Sequence, residues 1–186
     1  MSADEDLFED PEALAALVST LRGVSPSPTI RARLLAAFAE SRSRPDGAFG
    51  RFVEPFARLF EVSLEKARAL LDATASDDAF ERDPSGIALM HFAAGPRLAR
   101  ADTGIVRFPA GMEWPLHRHV GAEHHLFFEG GIRVHQDGKV YGPGDQLTMP
   151  AGSEHSFTVL ADRDCLTAVI IEEGGIELPP GTKIGF

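Results

Sequence analysis

From residue 87 onward, hydrophobic residues repeat with a period of two, in short runs that are broken by turn residues. Because a period of two places successive side chains on opposite faces of a strand, each run predicts a β-strand. The runs cover residues 87–93, 103–109, 124–129, 131–136, 139–142, 145–149, 155–161 and 164–172. Eight short strands separated by Gly, Pro or Asp-Gly are typical of an antiparallel sandwich or barrel.

The first 75 residues instead repeat at helical spacing. Asp10-Pro11 and Ser27-Pro28 each combine an N-cap residue with a proline that is tolerated in the first helical turn. The apolar residues between 49 and 60 predict a third helix.

Pro55 fits the third helix only near its start or at a kink, and Ser63 is suited to cap a fourth helix. The apolar faces of these helices can pack as a small bundle, pack on the strands, or bury a helix of a partner. We therefore expect two domains, a helical region over residues 1–80 and a β-domain over residues 86–186.

The overall composition argues against several classes of function. A net charge of −10 disfavours non-specific binding to nucleic acid, which requires clustered Lys and Arg. No stretch approaches the length of apolar chain that a membrane helix needs. The acidic start MSADEDLFED lacks the basic and apolar parts of a secretory signal, and the single cysteine, Cys165, gives no disulfide framework. We expect a cytoplasmic protein that binds neither nucleic acid nor membrane directly.

Four of the seven histidines lie in the segment GMEWPLHRHVGAEHHLFFEG, residues 111–130. His117 and His119 are two residues apart, so on a strand their imidazoles face the same way. Glu123 follows after a short turn, and His155 begins another predicted strand. Three imidazoles and one carboxylate suit a divalent transition metal such as Zn, Fe, Mn, Ni or Cu.

Glycines frame the first three of these residues at fixed spacings. Gly111, five residues, His117-x-His119, three residues, Glu123, six residues and Gly130 match the first cupin motif in full.

The second cupin motif is matched around His155. Gly144, five residues, Pro150-x-Gly152, two residues and His155 follow its spacing. The motif usually ends in Asn, which is not normally a ligand in the family, and here that position is Val159. From about residue 86 to its end, the chain therefore resembles a cupin.

This resemblance implies both a fold and a ligand set. The fold would be mainly β, a small antiparallel double-sheet barrel (jelly roll) preceded by an α-helical segment. The metal ligands would be His117, His119, Glu123 and His155. Zinc is the first ion expected, with iron, manganese, nickel and copper as alternatives. Cupins often pair through edge strands, which implies a homodimer.

A narrower resemblance rests on three segments. HRHVGAEHHLFFEGG and DRDCLTAVI are similar to the C-terminal cupin of ChrR-type anti-sigma factors, and SPSPTIRARLLAAF resembles the linker and following helix of anti-sigma proteins. The resemblance implies that the helical region binds a sigma factor or another protein, while the cupin senses a stress signal. The family's N-terminal zinc motif, His-x3-Cys-x2-Cys, is absent, because the first 85 residues contain neither His nor Cys.

The roles of several residues beside the motifs stay open at this point. His125 should share a face with Glu123, as a hydrogen-bond donor, an extra ligand, an acid/base group or a histidine satisfied by a neighbour. His91 and His135 are interpreted as structural, and Cys165 as either a buried small hydrophobe or a sensor thiol. Five residues are expected either to line a pocket or to belong to the hydrophobic core: Met112, Trp114, Phe127, Met149 and Phe157. Five charged residues are expected to lie at the surface: Glu113, Glu129, Arg107, Arg118 and Arg133.

Three functions are compatible with these features. The first is a metal-binding regulator of ChrR type, for which we expect an exposed apolar groove on residues 10–73. The second is a small-molecule metalloenzyme (a dioxygenase, isomerase or lyase), for which we expect an open channel that reaches the metal past Trp114 and Phe127. The third is a metal-stabilised module that binds a small molecule without turnover.

Overall fold

A computed structural model describes residues 27–33 and 47–180 of the chain, which divides into two compact units, Met1–Ser43 and Arg44–Phe186. In the first unit, residues 28–33 form a helix. The side-chain oxygen of Ser27 accepts a hydrogen bond from the Ile30 N–H at 3.3 Å, as the Ser-Pro signal predicts. The helix start predicted at Asp10-Pro11 lies outside the described residues.

In the second unit, two α-helices precede the strands: α1 (Val53–Phe60) and α2 (Leu64–Ala73). Pro55 falls in the first turn of α1, where its missing N–H has no helical acceptor to lose. The Ser63 side chain accepts a hydrogen bond from the Lys66 N–H at 3.1 Å and so caps α2, as predicted. Short 3-10 turns cover Gly50–Phe52, Asp77–Ala79 and Pro96–Leu98.

The described residues of the second unit contain eleven strands. They are β1 (Glu81–Arg82), β2 (Ala88–His91), β3 (Asp102–Phe108), β4 (Glu113–His119), β5 (Glu123–Glu129), β6 (Ile132–Val134), β7 (Val140–Tyr141), β8 (Gln146–Met149), β9 (Glu154–Val159), β10 (Cys165–Ile171) and β11 (Ile176–Glu177). They form a six-stranded sheet in the order β1-β2-β3-β10-β5-β8 and a five-stranded sheet in the order β11-β4-β9-β6-β7. All pairings are antiparallel, which confirms the mainly β, double-sheet fold.

Each of the eight runs predicted from the period of two contains or overlaps an observed strand, but β1, β4 and β11 are missing from that set. The two-residue strands β1 and β11 are too short to show any period. Strand β4 contains Pro115, and its register with β9 shifts between Trp114 and His117. A proline and a bulge both interrupt alternation, so this strand carries no clear period.

Two hydrophobic cores stabilise this unit. One lies between the two sheets and contains Trp114, Phe127 and Phe157. The other lies between the helices and the outer face of the six-stranded sheet, where Phe56 of α1 has its ring centroid 6.2 Å from that of Phe128 on β5. Strand β5 therefore buries both of its faces.

The helices α1 and α2 thus pack on the strands, which settles how their apolar faces are used. Phe56 and Phe60 of α1 and Ala67 and Leu71 of α2 are all buried in the core that they share with the six-stranded sheet. The division into residues 1–80 and 86–186 stays a prediction, but both helices belong to the same compact unit as the barrel. Within the described part of the chain, no helix has the combination of length and hydrophobicity that crossing a bilayer demands.

Candidate metal centre

Strand pairing brings the predicted ligands together from three strands. In the register of β4 and β9, His117 lies directly opposite His155. At the end of β4 both His117 and His119 are buried while Arg118 between them is exposed, so the two imidazoles point into the barrel, as their spacing predicts. The His119 N–H donates to the Ser153 carbonyl at 2.9 Å, and the Gly152 N–H donates to the His119 carbonyl at 2.7 Å. The turn that precedes His155 is thereby held against the end of β4.

The connection from His119 to Glu123 depends on a glycine. A Cβ at Gly121 would lie 2.7 Å from the backbone oxygens of both Glu172 and Glu173. Since such a distance is well inside van der Waals contact, only glycine lets this connection pack against the segment that follows β10. Glu123 then begins β5 with its carboxylate buried.

The four side chains form one compact, buried cluster. His117, His119, Glu123 and His155 each offer one ligand atom, and these atoms all lie within 4.8 Å of one another. The ring centroid of His117 is 4.7 Å from that of His119 and 4.4 Å from that of His155, and the His119 and His155 centroids are 4.9 Å apart. The sequence spacing therefore identified a real spatial group, with the composition of a transition-metal site.

Hydrogen bonding within the cluster leaves imidazole nitrogens available. His117 Nδ1 lies 3.0 Å from the Pro115 carbonyl oxygen, which can only accept, so Nδ1 carries the proton and Nε2 keeps its lone pair. For His119 and His155, neither ring nitrogen has a hydrogen-bond partner within the described structure, although all four atoms are buried. An unpartnered buried polar atom costs about 1–3 kcal/mol, and a metal ion would satisfy one nitrogen of each ring. The donor set thus fits a metal ion.

Electrostatics hold the cluster in the protonation state that binds metal. Burial lowers the pKa of His117 and His119, and it lowers the pKa of His155 to about 3. Burial alone would raise the pKa of the Glu123 carboxyl, but its electrostatic interaction and hydrogen bond with His125, followed by the influence of His119 and His117, hold that pKa at about 2. At neutral pH the cluster therefore presents three neutral imidazoles and one carboxylate, as metal ligation requires.

His125 is the residue beside the cluster that the structure clarifies most. It is buried, and its Nε2 lies 3.1 Å from Glu123 Oε2, within hydrogen-bond distance. Its Nδ1 lies 3.4 Å from Thr167 Oγ1, and its ring stacks on that of Phe127 with a centroid distance of 5.6 Å. Among the roles left open by the sequence, this geometry places His125 as a hydrogen-bond donor to the Glu123 carboxylate.

The other histidines lie outside the cluster. His124 points to the opposite face, as the strand period predicts, with its Nδ1 3.0 Å from Thr148 Oγ1. His135 is exposed and contacts the hydroxyls of Ser156 and Thr158 at 3.0 and 2.7 Å. His91 is exposed and lies 3.1 Å from Asp102.

A cavity of about 380 Å³ lies between the two sheets and reaches His117 and Glu123 of the cluster and the adjacent His125. Trp114 and Phe157 line this cavity. The sequence reasoning did not single out the aliphatic residues that complete its wall, which include Leu89, Val106, Val169 and Ile171. Their alternation along the strands was the available signal, but alternation does not distinguish a cavity wall from a filled core.

The structure also places the other residues that were predicted to lie in the pocket, in the core or at the surface. Phe127, Met112 and Met149 belong to or pack against the core between the sheets. Glu113, Glu129, Arg118 and Arg133 are exposed, as expected. Arg107 instead bonds to Asp77 at 2.6 Å and to the Thr74 carbonyl at 2.8 Å, so it ties the segment after α2 to β3.

Cys165 lies at the start of β10 and is fully buried. Burial, together with the neighbouring charge of Asp164, raises the pKa of the Cys165 thiol to about 12. The thiolate is the reactive form of cysteine, and burial disfavours it. The buried environment therefore favours the interpretation of Cys165 as a small core residue over that of a sensor thiol.

Three solved structures illustrate what the chain is similar to. A chain in the crystal structure of Rhodobacter sphaeroides SigE in complex with the anti-sigma ChrR matches with a TM-score of 0.50 and 17% identity, over 87% of this chain and 75% of that chain. An acetylacetone dioxygenase from Acinetobacter johnsonii matches with a TM-score of 0.47 and 18% identity, over 59% of this chain and 78% of that chain.

The third structure is a Ralstonia eutropha protein of unknown function with a cupin-like fold, with a TM-score of 0.42 and 22% identity. The match covers 47% of this chain but only 59% of that protein. No curated protein sequence matches significantly. The similarity to the SigE–ChrR structure supports the jelly-roll fold.

A family model provides the remaining comparison. The model described as the ChrR cupin-like domain matches residues 73–173, which is more than half of the chain and includes the whole His/Glu cluster. The matched region begins at the end of α2 and runs to the segment that follows β10. On this match, the chain belongs to the ChrR cupin-like domain family.

Proposed function

We propose that this protein binds one divalent transition metal ion through His117, His119, Glu123 and His155. The proposal rests on one observation, the convergence of four buried ligand atoms within 4.8 Å, with both nitrogens of two imidazoles unpartnered among the described groups. Zinc is the first ion to test, and iron, manganese, nickel and copper accept the same ligands. A bound ion would supply a Lewis acid at the inner end of the cavity.

We further propose a regulatory role of the ChrR type for this metal centre, in a cytoplasmic homodimer. The family to which the chain belongs supports this role, and the match to a chain of the SigE–ChrR complex extends over 87% of the protein. The partner would be a sigma factor or another protein that binds the region before the barrel. Because that region has no His-x3-Cys-x2-Cys motif, partner binding would proceed without a second zinc site.

A metalloenzyme is the second candidate, and the cavity favours it. The cavity reaches His117, Glu123 and His125, so a small molecule inside it would lie beside the proposed metal. Of the two residues past which the channel was expected to run, Trp114 lines the cavity and Phe127 does not. His125, the donor to Glu123, would orient that ligand during any reaction.

Elemental analysis of the purified protein tests the metal proposal. The wild type should carry about one equivalent of metal, and His117→Ala/His155→Ala should lose it. The matched control is His124→Ala/His135→Ala, which also removes two imidazoles from the same unit but leaves the cluster intact. Wild-type protein that stays metal-free after reconstitution with each candidate ion would refute the proposal.

Transcription in vitro separates the regulator from the enzyme. The full chain is added to RNA polymerase with each extracytoplasmic-function sigma factor of the same genome. Inhibition of one sigma factor, with zinc in the centre, supports the regulatory role. Absence of any inhibition, together with iron, manganese or nickel in the centre and consumption of a small molecule followed by NMR, supports the enzyme instead.

A further inference from the structure

The cavity beside the proposed metal centre has a largely apolar wall with a smaller number of polar groups. Its volume of about 380 Å³ is near the lower end of the range for small-molecule sites. The aliphatic and aromatic residues that line it include Leu89, Val106, Trp114, Val169 and Ile171. A ligand of matching shape would therefore be apolar over most of its length.

The inner end of the cavity offers a small number of polar atoms. His117, Glu123 and His125 line it there, and all three are buried. The other buried residues of the wall have no hydrogen-bonding side chains apart from the indole N–H of Trp114, so only one compact polar head can be matched there. A ligand with hydroxyl groups along its whole length, such as a sugar, would lose its hydrogen bonds to water without replacing them.

The charges that line the cavity are mostly negative. Four carboxylates line it, those of Asp102, Glu123, Glu172 and Glu173. Among the described lining residues, Arg100 contributes the only guanidinium, and it is ion-paired with Glu173. The formal charge of these groups is −3, and a divalent cation at the centre would change it only to −1. Anions entering the cavity would therefore be repelled, and the one guanidinium among the described wall residues is already ion-paired.

We propose that this cavity binds an uncharged, largely apolar small molecule with a single polar head, of about the size of a medium-chain ketone. The head lies at the end of the cavity that His117, Glu123 and His125 line, where the proposed metal ion would accept a lone pair from its carbonyl oxygen, and the apolar part contacts the wall that includes Leu89 and Ile171. The proposal concerns the site described above as the metal centre, and for the position of the polar head it rests on that proposed function. The acidic mouth selects against carboxylates of equal length.

Trp114 provides a direct reporter of occupancy, because it is the only tryptophan in the chain and it lines the cavity. The metal-loaded full chain is titrated with 2-octanone and with octanoate, which have the same number of carbons and differ in charge. The ketone should change the fluorescence of Trp114 saturably, and octanoate should bind at least about tenfold more weakly. In Asp102→Asn/Glu172→Gln, where two mouth carboxylates are neutral, this ratio should shrink.

Variants that fill the cavity test the location of the ligand. Ile171→Phe places a ring in the space that the ketone would occupy and should abolish binding, and Leu89→Phe from β2 gives an independent second test. His135→Ala, on the exposed surface, should bind as the wild type does. Circular dichroism confirms that each variant is folded. Equal binding of octanoate and ketone, or wild-type binding by folded Ile171→Phe and Leu89→Phe, would overturn the proposal.

Metal content measured on the same samples keeps the two proposals distinguishable. One equivalent of metal without ketone binding would overturn the ligand class and leave the metal centre standing. Saturable ketone binding by a protein that takes up no metal would refute the metal centre, while the selection for an uncharged apolar ligand would be upheld.

Discussion

Replacing Phe56 with alanine tests whether the helices before the strands form part of the barrel's own core. The Phe56 side chain is 0% exposed. Its ring centroid lies 4.5 Å from that of Phe60, 5.4 Å from that of Phe92 and 6.2 Å from that of Phe128. Phe128 lies on β5, the strand that begins with Glu123, so these contacts join α1 to a strand of the metal centre.

The expected loss follows from the buried area. A phenylalanine buries about 150–250 Å². At about 25 cal/mol per Å², complete burial of such a side chain stabilises the fold by about 4–6 kcal/mol. Because alanine keeps the Cβ and the cavity relaxes only in part, Phe56→Ala should lower the free energy of unfolding by about 3–5 kcal/mol. This is a large share of the roughly 5–15 kcal/mol that a typical domain has.

Urea unfolding measures this loss when far-UV circular dichroism and Trp114 fluorescence are followed together. Trp114 lies in the core between the sheets, so its signal reports on the barrel. Leu64→Ala is the matched control, since Leu64 lies on α2 with 55% of its surface exposed and should change stability by less than about 0.5 kcal/mol. If Phe56→Ala costs less than about 1 kcal/mol, or the barrel signal is unaffected while helical signal is lost, the helices are not part of the barrel's core.

Further predictions concern the metal centre, its supporting loop and the buried thiol. His125→Leu removes the donor to Glu123 and should weaken metal affinity about 10–100-fold, as measured by competition with a chelator. His125→Gln keeps a donor and should lose less affinity. Equal metal affinity in His125→Leu and the wild type would contradict this role. Gly121→Val forces a Cβ to within 2.7 Å of the Glu172 oxygen and should lower the melting temperature, which calorimetry would measure, and an unchanged value would show that the loop yields freely. Cys165 should react with a thiol reagent only after unfolding, because burial raises its pKa to about 12, and fast labelling of the native protein at pH 8 would argue against that burial. Since the native state keeps a thiol proton that the unfolded state loses near pH 9, the contribution of Cys165 to the free energy of unfolding should fall from about pH 9 towards pH 12, as a comparison with Cys165→Ala would show.

The strands that were predicted correctly are those whose pattern is local. Alternation along a strand needs only the sequence of that strand, so the runs at 103–109 and 164–172 identify β3 and β10 to within one residue at each end. Strand β4 was missed because Pro115 and the register shift before His117 disturb its alternation. Two short edge strands were missed for lack of length.

The four ligands could be predicted from the sequence for two different reasons. That His117 and His119 share a face follows from strand geometry alone. That Glu123 and His155 join them depends on how β4, β5 and β9 are arranged in space, and only the match to the cupin motifs supplied that expectation. The partner of His125 was not predictable, because four roles were compatible with its position on the strand.

Periodicity thus determined the class of fold, because it is a property of neighbouring residues, and the match to the cupin motifs supplied the four candidate ligands. Tertiary structure alone decided what the apolar helix faces cover, how large a cavity remains and which group His125 contacts. The physical reason is that hydrophobic burial has no direction. An apolar face on α1 must leave water, but nothing in its own sequence specifies that the outer face of β5 will receive it.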